Sequence, residues 1–301
     1  MNPGPAITTS IDDTTLAGPF HAVQRAEPSQ LDPPTPLVFS SPHSGRLYPL
    51  DFGSCLAGLD VRRSEDAFVD KLVEMAPQWG AALILAQAGR AYLDVNREAY
   101  ELDPGMFTEP LPVFVNDQSP RVIAGLGAVA RVIHEGLDIY ARKLTFAEAQ
   151  RRIDTVHEPY HQALAALISE AKAKHGFAIL IDWHSMPSAA GQSMQASETC
   201  DIILGDRYGA ACHPALTDRV ERELSALGYS VGRNMPFAGG YITQHYGRPH
   251  AQVHALQIEI RRSLYLDEDC LELTEGYKRL RADFARLTQV LAAEVWEQFR
   301  P

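Results

Sequence analysis

Two kinds of hydrophobic pattern alternate along this chain. Short apolar runs recur near 37–42, 81–88, 91–95, 177–182, 200–205 and 254–260. Bounded by turn residues and rich in branched side chains, they predict strands of a sheet covered on both faces. Between them, apolar residues fall at three- and four-residue steps near 64–76, 128–150, 160–175, 214–227 and 271–299, which predicts helices. The last of these is well patterned, with Leu273, Tyr277, Leu280, Phe284, Leu287, Val290, Leu291 and Val295 on one stripe. Strands alternating with helices predict a single α/β domain on a largely parallel sheet with helices on both faces. Residues 1–35 break the pattern, being rich in Pro, Thr, Ser and Asp, and are expected to form an irregular arm before a domain spanning 36–301.

Composition narrows the function. With 301 residues, 46% of them hydrophobic and 22% charged, the chain suits a large globular core. A formal charge of -11 and the lack of any basic block argue against a nucleic-acid partner. Cys55, Cys200, Cys212 and Cys270 lie far apart, with no metal or disulfide spacing, which suits reduced thiols in the cytoplasm. Met1 to Leu16 has neither a basic start nor an apolar stretch, so no signal peptide is expected. No run approaches the roughly 18 apolar residues of a membrane span. The turns around Gly125, Gly127, Gly239 and Gly240 do not follow a strand as a dinucleotide fingerprint requires, which disfavours a nucleotide cofactor.

Chemistry collects at the ends of the apolar runs, where an open α/β sheet binds its ligands. Phe177 to Ile181 ends in Asp182-Trp183-His184-Ser185, and Leu37 to Ser40 runs into Ser41-Pro42-His43-Ser44-Gly45. Ala255 to Ile260 carries Glu259 as a lone acid. His43 and His184 with one carboxylate would supply the three protein ligands of a hydrolytic metal site, although either histidine alone suits a turn or a hydrogen-bonded core position. Glu65 and Asp66 follow Ser64, a natural N-cap, and both suit the dipole of a helix start. Helical geometry slightly favours Glu65 as the inward-facing acid and leaves both open. Arg90, Tyr92, Asp94 and Asn96 share one side if 90–97 is extended, and Arg90 and Arg97 are candidates for holding a substrate carboxylate or an oxyanion.

His157-Glu158-Pro159-Tyr160-His161 spells the H-E-x-x-H pattern of zinc peptidases. That pattern needs both histidines one turn apart on one helix. Pro159 lacks an amide donor and disfavours a helical residue before it, so it is read as the first residue of the helix, with His157 outside and off the line of His161.

Taken in order, the motifs form a recognisable series. Ser-Pro-His-Ser-Gly at 41–45, Glu-Asp-x-x-Val-Asp-x-Leu at 65–72, Asp-x-Asn-Arg at 94–97, Pro-Tyr-His at 159–161 and Asp-x-His-Ser-Met at 182–186 come first. Gly-Asp at 205–206, Asn-x-Pro at 234–236, Gly-Gly-Tyr-Ile-Thr at 239–243 and Gln-Ile-Glu-Ile-Arg at 257–261 complete it. The set resembles the N-formylglutamate amidohydrolase family over about 38–268, a family similar to the zinc carboxypeptidase and aspartoacylase superfamily. The resemblance implies a mixed, mainly parallel sheet flanked by helices, and hydrolysis of N-formyl-L-glutamate to L-glutamate and formate. It implies one zinc ion on His43, Asp66 and His184, preferring Asp66 over Glu65. The superfamily usually places a glutamate ligand three residues after the first histidine, where this chain has Arg46. Glu259 matches the general base, Asn96 and Arg97 match the grip on a substrate carboxylate, and Arg90 is the candidate for polarising the scissile carbonyl. Asp182, two residues before His184, is expected to support that ligand. The motifs leave the roles of His161 and Tyr241 open. Two other readings remain: an amidohydrolase or peptidase for another N-acyl substrate, and an inactive ligand-binding protein on the same scaffold.

Overall fold

Among the described residues, seven strands form the main sheet: β1 (His21–Gln24), β2 (Leu37–Ser41), β3 (Ala82–Ala86), β4 (Ala178–Met186), β5 (Ile202–Gly205), β6 (Val231–Arg233) and β7 (Val253–Arg261). The computed structural model describes residues 20–25, 35–133, 136–191 and 200–299. The sheet order is β1-β3-β2-β4-β7-β5-β6. Its centre, β3, β2, β4 and β7, is parallel. β1 runs against β3, and β5 and β6, parallel to each other, run against β7. The expected mixed, mainly parallel sheet is therefore present.

The helices are α1 (Gly58–Arg62), α2 (Val69–Val73), α3 (Pro120–Ile123), α4 (Phe146–Arg152), α5 (Glu158–His175), α6 (Pro214–Ala226), α7 (Tyr241–Tyr246) and α8 (Gly276–Ala293). On one face of the sheet, Phe39, Ile181, Trp183 and Ile258 pack with Leu72 of α2, Leu216 of α6 and Phe284 of α8. Trp183 and Phe284 meet with ring centroids 4.9 Å apart. On the other face, Val38, Leu180 and Ala255 pack with Leu164 and Leu167 of α5. Among the described residues no helix is long and apolar enough to cross a membrane.

The β4–β7 register sets the polar residues in rows. Leu180 lies beside Ala255, Asp182 beside Gln257 and His184 beside Glu259. Ser40 of β2 joins the Asp182 row. Because side chains alternate across a strand, these residues share the α5 side of the sheet. That face is apolar at Leu180 and Ala255 and becomes polar toward the strand tips.

Several sequence expectations change. Residues 91–95 are not a strand: a turn starts at Gly89, whose carbonyl accepts the Tyr92 amide, and the Asp94 amide donates to Ala128. Tyr92 consequently leaves the side of Arg90 and Asp94 and bonds Asp51. The helix expected from 128 begins only at Phe146, where Thr145 and Glu148 form a capping box. Described residues before it form turns and bridges, burying Val129, Ile133, Ile139 and Leu144 one at a time. The helix expected from 64 begins at Val69, because Phe68 takes a left-handed conformation with φ 64°. Ser64 donates to the Val61 carbonyl at 2.7 Å and does not cap. The last helix ends at Ala293, with a short 3-10 turn at Glu297–Phe299 beyond it. Within the segment expected to be an irregular arm, His21–Gln24 form edge strand β1.

Pro159 does not break its helix. α4 passes into α5 through a π turn at Ile153–His157, and Pro159 falls in the first turn of α5. The wider turn relieves the carbonyl that the proline ring would crowd. His157 is thus inside the helical path, and its ring lies 4.3 Å from that of His161.

Candidate active site

Three loops and two strand tips converge above the polar rows. β2 delivers His43, whose carbonyl accepts the Asp66 amide at 2.9 Å. The Ser44 hydroxyl donates to the Asp66 carbonyl at 3.0 Å and accepts the Asp70 amide at 3.1 Å. These bonds lash the 41–45 and 62–70 segments together. A Cβ on Gly45 would meet the Ala88 carbonyl oxygen at 2.2 Å, so only glycine lets this turn lie against the strand exit beside it.

His43, Asp66 and His184 offer ligand atoms that all lie within 4.8 Å of one another, and all three residues are buried. His184 Nδ1 is 2.9 Å from Asp66 Oδ2, and His43 Nδ1 is 3.4 Å from the same oxygen. Each imidazole is held from behind through its other nitrogen. His43 Nε2 lies 2.6 Å from Asp94 Oδ1, and His184 Nε2 lies 3.0 Å from Asp182 Oδ2. Asp182 in turn accepts the Ser40 hydroxyl at 2.8 Å, and Ser40 meets Tyr160 OH at 3.0 Å. The remaining Asp66 oxygen accepts Arg262 Nη2 at 3.0 Å.

This donor set fits a divalent cation. Among the described residues, buried His43 Nδ1 has no hydrogen-bond partner, although buried polar atoms are ordinarily paired. Carboxylates behind both rings would keep the protons on Nε2 and leave Nδ1 as the electron donor, a common support for metal-binding histidine. Burial alone would raise the Asp66 carboxyl, but the imidazoles of His184 and His43 beside it hold it well below the usual carboxylate range. Burial opposes charge on His184 too, yet Asp182, Asp66 and Glu259 hold its pKa well above the ordinary imidazole value. A divalent cation bound there would displace that proton and put two positive charges among these carboxylates where the proton puts one.

Glu259 stands beside His184 on β7. Gln257 Nε2 donates to its Oε1 at 2.9 Å, while Gln257 Oε1 accepts the Gly240 amide at 2.7 Å. Burial pushes the Glu259 carboxyl up to about 7, with the Asp66 charge adding to the rise and His184, Arg262 and Arg90 opposing it.

These residues line a cavity of about 630 Å³, whose wall also carries Arg63, Arg90, Arg97, Arg121 and Arg262. Among the described residues, three carboxylates, Asp66, Asp94 and Glu259, stand against these five arginines, so this lining is cationic in a protein of formal charge -11. Arg90 Nη2 is 2.7 Å from Asp94 Oδ2, and Arg97 Nη2 is 3.7 Å from it. Arg97 also donates to the carbonyls of Leu126 and Asn96. Burial pulls Arg97 below the ordinary guanidinium value; Asp94 opposes this, while Arg90 and Arg121 add to it. Asn96 lines the cavity with its amide nitrogen 3.0 Å from His184 Nε2, and its oxygen accepts the Ile242 amide at 2.7 Å. A Cβ on Gly240 would strike this side chain at 2.5 Å.

The structure brings together His43, Asp66, His184, Glu259, Arg90, Asn96 and Arg97 around this cavity. Glu65 turns away, accepting Tyr48 OH at 2.9 Å and Arg62 Nε at 3.3 Å. His157 and His161 lie outside the ligand cluster. They are bonded to the carbonyls of Arg97 at 2.9 Å and Val95 at 2.8 Å, and so brace the segment that carries Asp94 and Asn96. Burial lowers both imidazoles, His161 to about 3, which keeps them neutral. Tyr241 lies 5.5 Å from His161 by ring centroid and stacks on His245. Sequence reasoning missed Arg262, Tyr160, Ser40 and Gln257 as site residues. The signals available were Tyr160 in the Pro-Tyr-His motif and the paired Arg261-Arg262 leaving a buried strand.

A model of the N-formylglutamate amidohydrolase family matches residues 35–266. A Pseudomonas aeruginosa protein named N-formylglutamate deformylase is 30% identical over 266 residues, covering 87% of this chain and 91% of its own. A Pseudomonas putida protein of the same name is 28% identical, over 86% of this chain and 90% of its own. The crystal structure of an N-formylglutamate amidohydrolase from Ralstonia eutropha JMP134 has a TM-score of 0.85 at 38% identity, covering 90% of this chain and 96% of that one.

Proposed function

The chain belongs to the N-formylglutamate amidohydrolase family, and on that premise we propose that it hydrolyses the amide of N-formyl-L-glutamate to L-glutamate and formate, using one zinc ion held by His43, Asp66 and His184. The observation that carries this reading is the convergence of His43, Asp66 and His184, whose ligand atoms lie within 4.8 Å of one another beside Glu259, in a cavity walled with arginine. When bound, zinc supplies Lewis acidity toward the formyl carbonyl and lowers the pKa of water toward about 7.

The protein's own groups do the rest. Gln257 fixes one Glu259 oxygen and leaves the other free to take a proton from the attacking water. As the new C–O bond forms, the formyl oxygen gains negative charge, and Arg90 at the cavity wall stabilises it. Glu259 then returns the proton to the departing nitrogen as the C–N bond breaks, releasing formate and the amino acid. Arg97 and Asn96 hold the substrate α-carboxylate, supported by the cationic crowding around Arg97. Asp94 and Asp182 hold the imidazoles in orientation through both stages. A cytoplasmic location suits the four reduced thiols.

The test is formate release over a panel of N-formyl and N-acyl amino acids, paired with elemental analysis of protein purified without chelator. We expect N-formyl-L-glutamate to be preferred, one divalent ion per chain, and loss of turnover on chelation that zinc restores. Full activity in metal-free protein would reject the metal assignment, and preference for another acyl group would reject the substrate.

A further inference from the structure

Four of the five cavity arginines already face a carboxylate. Arg90 and Arg97 share Asp94, Arg262 holds Asp66, and Arg121 lies 3.7 Å from Glu101. Arg63 has no carboxylate within ion-pair distance among the described residues. Among those residues its side-chain bond is a long one, 3.4 Å from Nη2 to the Asp269 carbonyl, and its buried Nε finds no hydrogen-bond partner there. A half-buried guanidinium left this way in a cavity wall has unmet capacity for a two-pronged bond to a planar anion.

Its place in the site is fixed. Arg262 donates through Nη1 to the Arg63 carbonyl at 3.3 Å and through Nη2 to Asp66 at 3.0 Å, and its Nε donates to Ser185 Oγ at 3.1 Å. One guanidinium thus ties the Arg63 backbone to a candidate metal ligand and to the tip of β4. Arg97 belongs to a different wall, where it is bonded to the Leu126 and Asn96 carbonyls.

We infer that Arg63 is the specificity-determining residue that receives the side-chain carboxylate of the substrate, while Arg97 and Asn96 receive the α-carboxylate. This rests on the reading of the site as one for an N-acyl acidic amino acid. It makes the cavity a dicarboxylate site, with the scissile amide over the His43, Asp66 and His184 cluster.

The experiment compares calorimetric binding of L-glutamate and L-glutamine to the metal-loaded protein, its R63M and R63K variants and an R121M control, alongside kcat/KM for N-formyl-L-glutamate and N-formyl-L-glutamine. A charge-assisted pair is worth about 10- to 100-fold in affinity. Wild type should bind glutamate tighter than glutamine by about that factor, and R63M should bring the two dissociation constants together, with the kinetic loss falling mainly on KM. R63K, which keeps the charge without the fork, should retain part of the preference and keeps the test decisive should R63M not fold. The proposal is overturned if folded R63M or R63K discriminates as wild type does, if R121M abolishes the preference instead, or if wild type shows none. If glutamate is preferred through Arg63 but N-formyl-L-glutamate yields no formate, the proposed activity fails and this assignment stands.

Discussion

Replacing Asp94 with asparagine removes one negative charge and one acceptor edge while keeping shape. In the wild type, Oδ1 meets His43 Nε2 at 2.6 Å and accepts the Asn96 amide at 2.8 Å, while Oδ2 accepts Arg90 at 2.7 Å. An asparagine serves only one edge. If its oxygen stays with His43, its NH₂ faces Arg90, donor against donor, with a loss of about 1.5–3 kcal/mol for the charge-assisted bond. If the amide flips, its NH₂ makes His43 Nε2 an acceptor and moves the ring proton to Nδ1, the atom the cation needs. Either arrangement should weaken the proposed metal site, because loss of such a supporting carboxylate typically costs about 10- to 100-fold in metal affinity. That factor corresponds to about 1.4–2.8 kcal/mol. Competition against a chromophoric chelator at fixed pH measures it, and thermal unfolding with excess metal gives the stability term separately. A folded Asp94→Asn protein with wild-type metal affinity would refute the claim that this carboxylate sets the His43 tautomer.

Other outcomes follow from the same geometry. Glu259→Gln keeps the bond from Gln257, so metal content should be unchanged while kcat falls by about 10²- to 10⁴-fold; near wild-type turnover would place the base elsewhere. Phe284→Ala, which removes the ring against Trp183, should cost about 3–5 kcal/mol in urea unfolding without altering metal stoichiometry. Burial lowers buried His254 from the ordinary 6.5 to about 4, and its Nδ1 already accepts the His213 amide at 3.2 Å. Well above pH 6.5 it is neutral in both folded and unfolded chains and contributes no pH dependence. As pH falls from 6.5 toward 4, the unfolded chain binds the proton more readily than the native one, so stability drops through that window. His254→Asn should flatten that part of the stability–pH curve, and an unchanged slope would show that other groups produce it.

The parts of the fold that could be read from sequence were those in which local pattern and tertiary burial agree. β4 and β7 are long and apolar and end in a change of polarity, and α6 and α8 carry single apolar stripes. The misreadings share a cause: residues buried individually imitate a period. Ala91, Tyr92, Leu93 and Val95 are all buried, yet their backbone turns. Val129, Ile133 and Leu144 mimic a helix stripe because each enters the core from a loop. At the site, His184 and Glu259 were legible because strand tips announce them. Asp66 over Glu65 was not settled by periodicity, since the helix that calculation assumed begins only at Val69. The histidines of 157–161 misled in the opposite direction: a π turn lets them share a face despite Pro159, and they use it to hold two carbonyls.

The rows that set Asp182 beside Gln257 and His184 beside Glu259 impose a division of evolutionary freedom. A slip of one residue between β4 and β7 would exchange the two faces of a strand and swing isoleucine or tryptophan into the place of the acid and the imidazole. The placement of His184 and Glu259 is therefore written into the hydrogen-bond ladder, and mutation cannot adjust it gradually. Arg63, Arg97, Arg121 and the 236–240 turn reach the same cavity from outside the ladder. Descendants of this scaffold are free to trade one acyl amino acid for another by rewriting those segments, while the reaction performed at the strand tips stays constant.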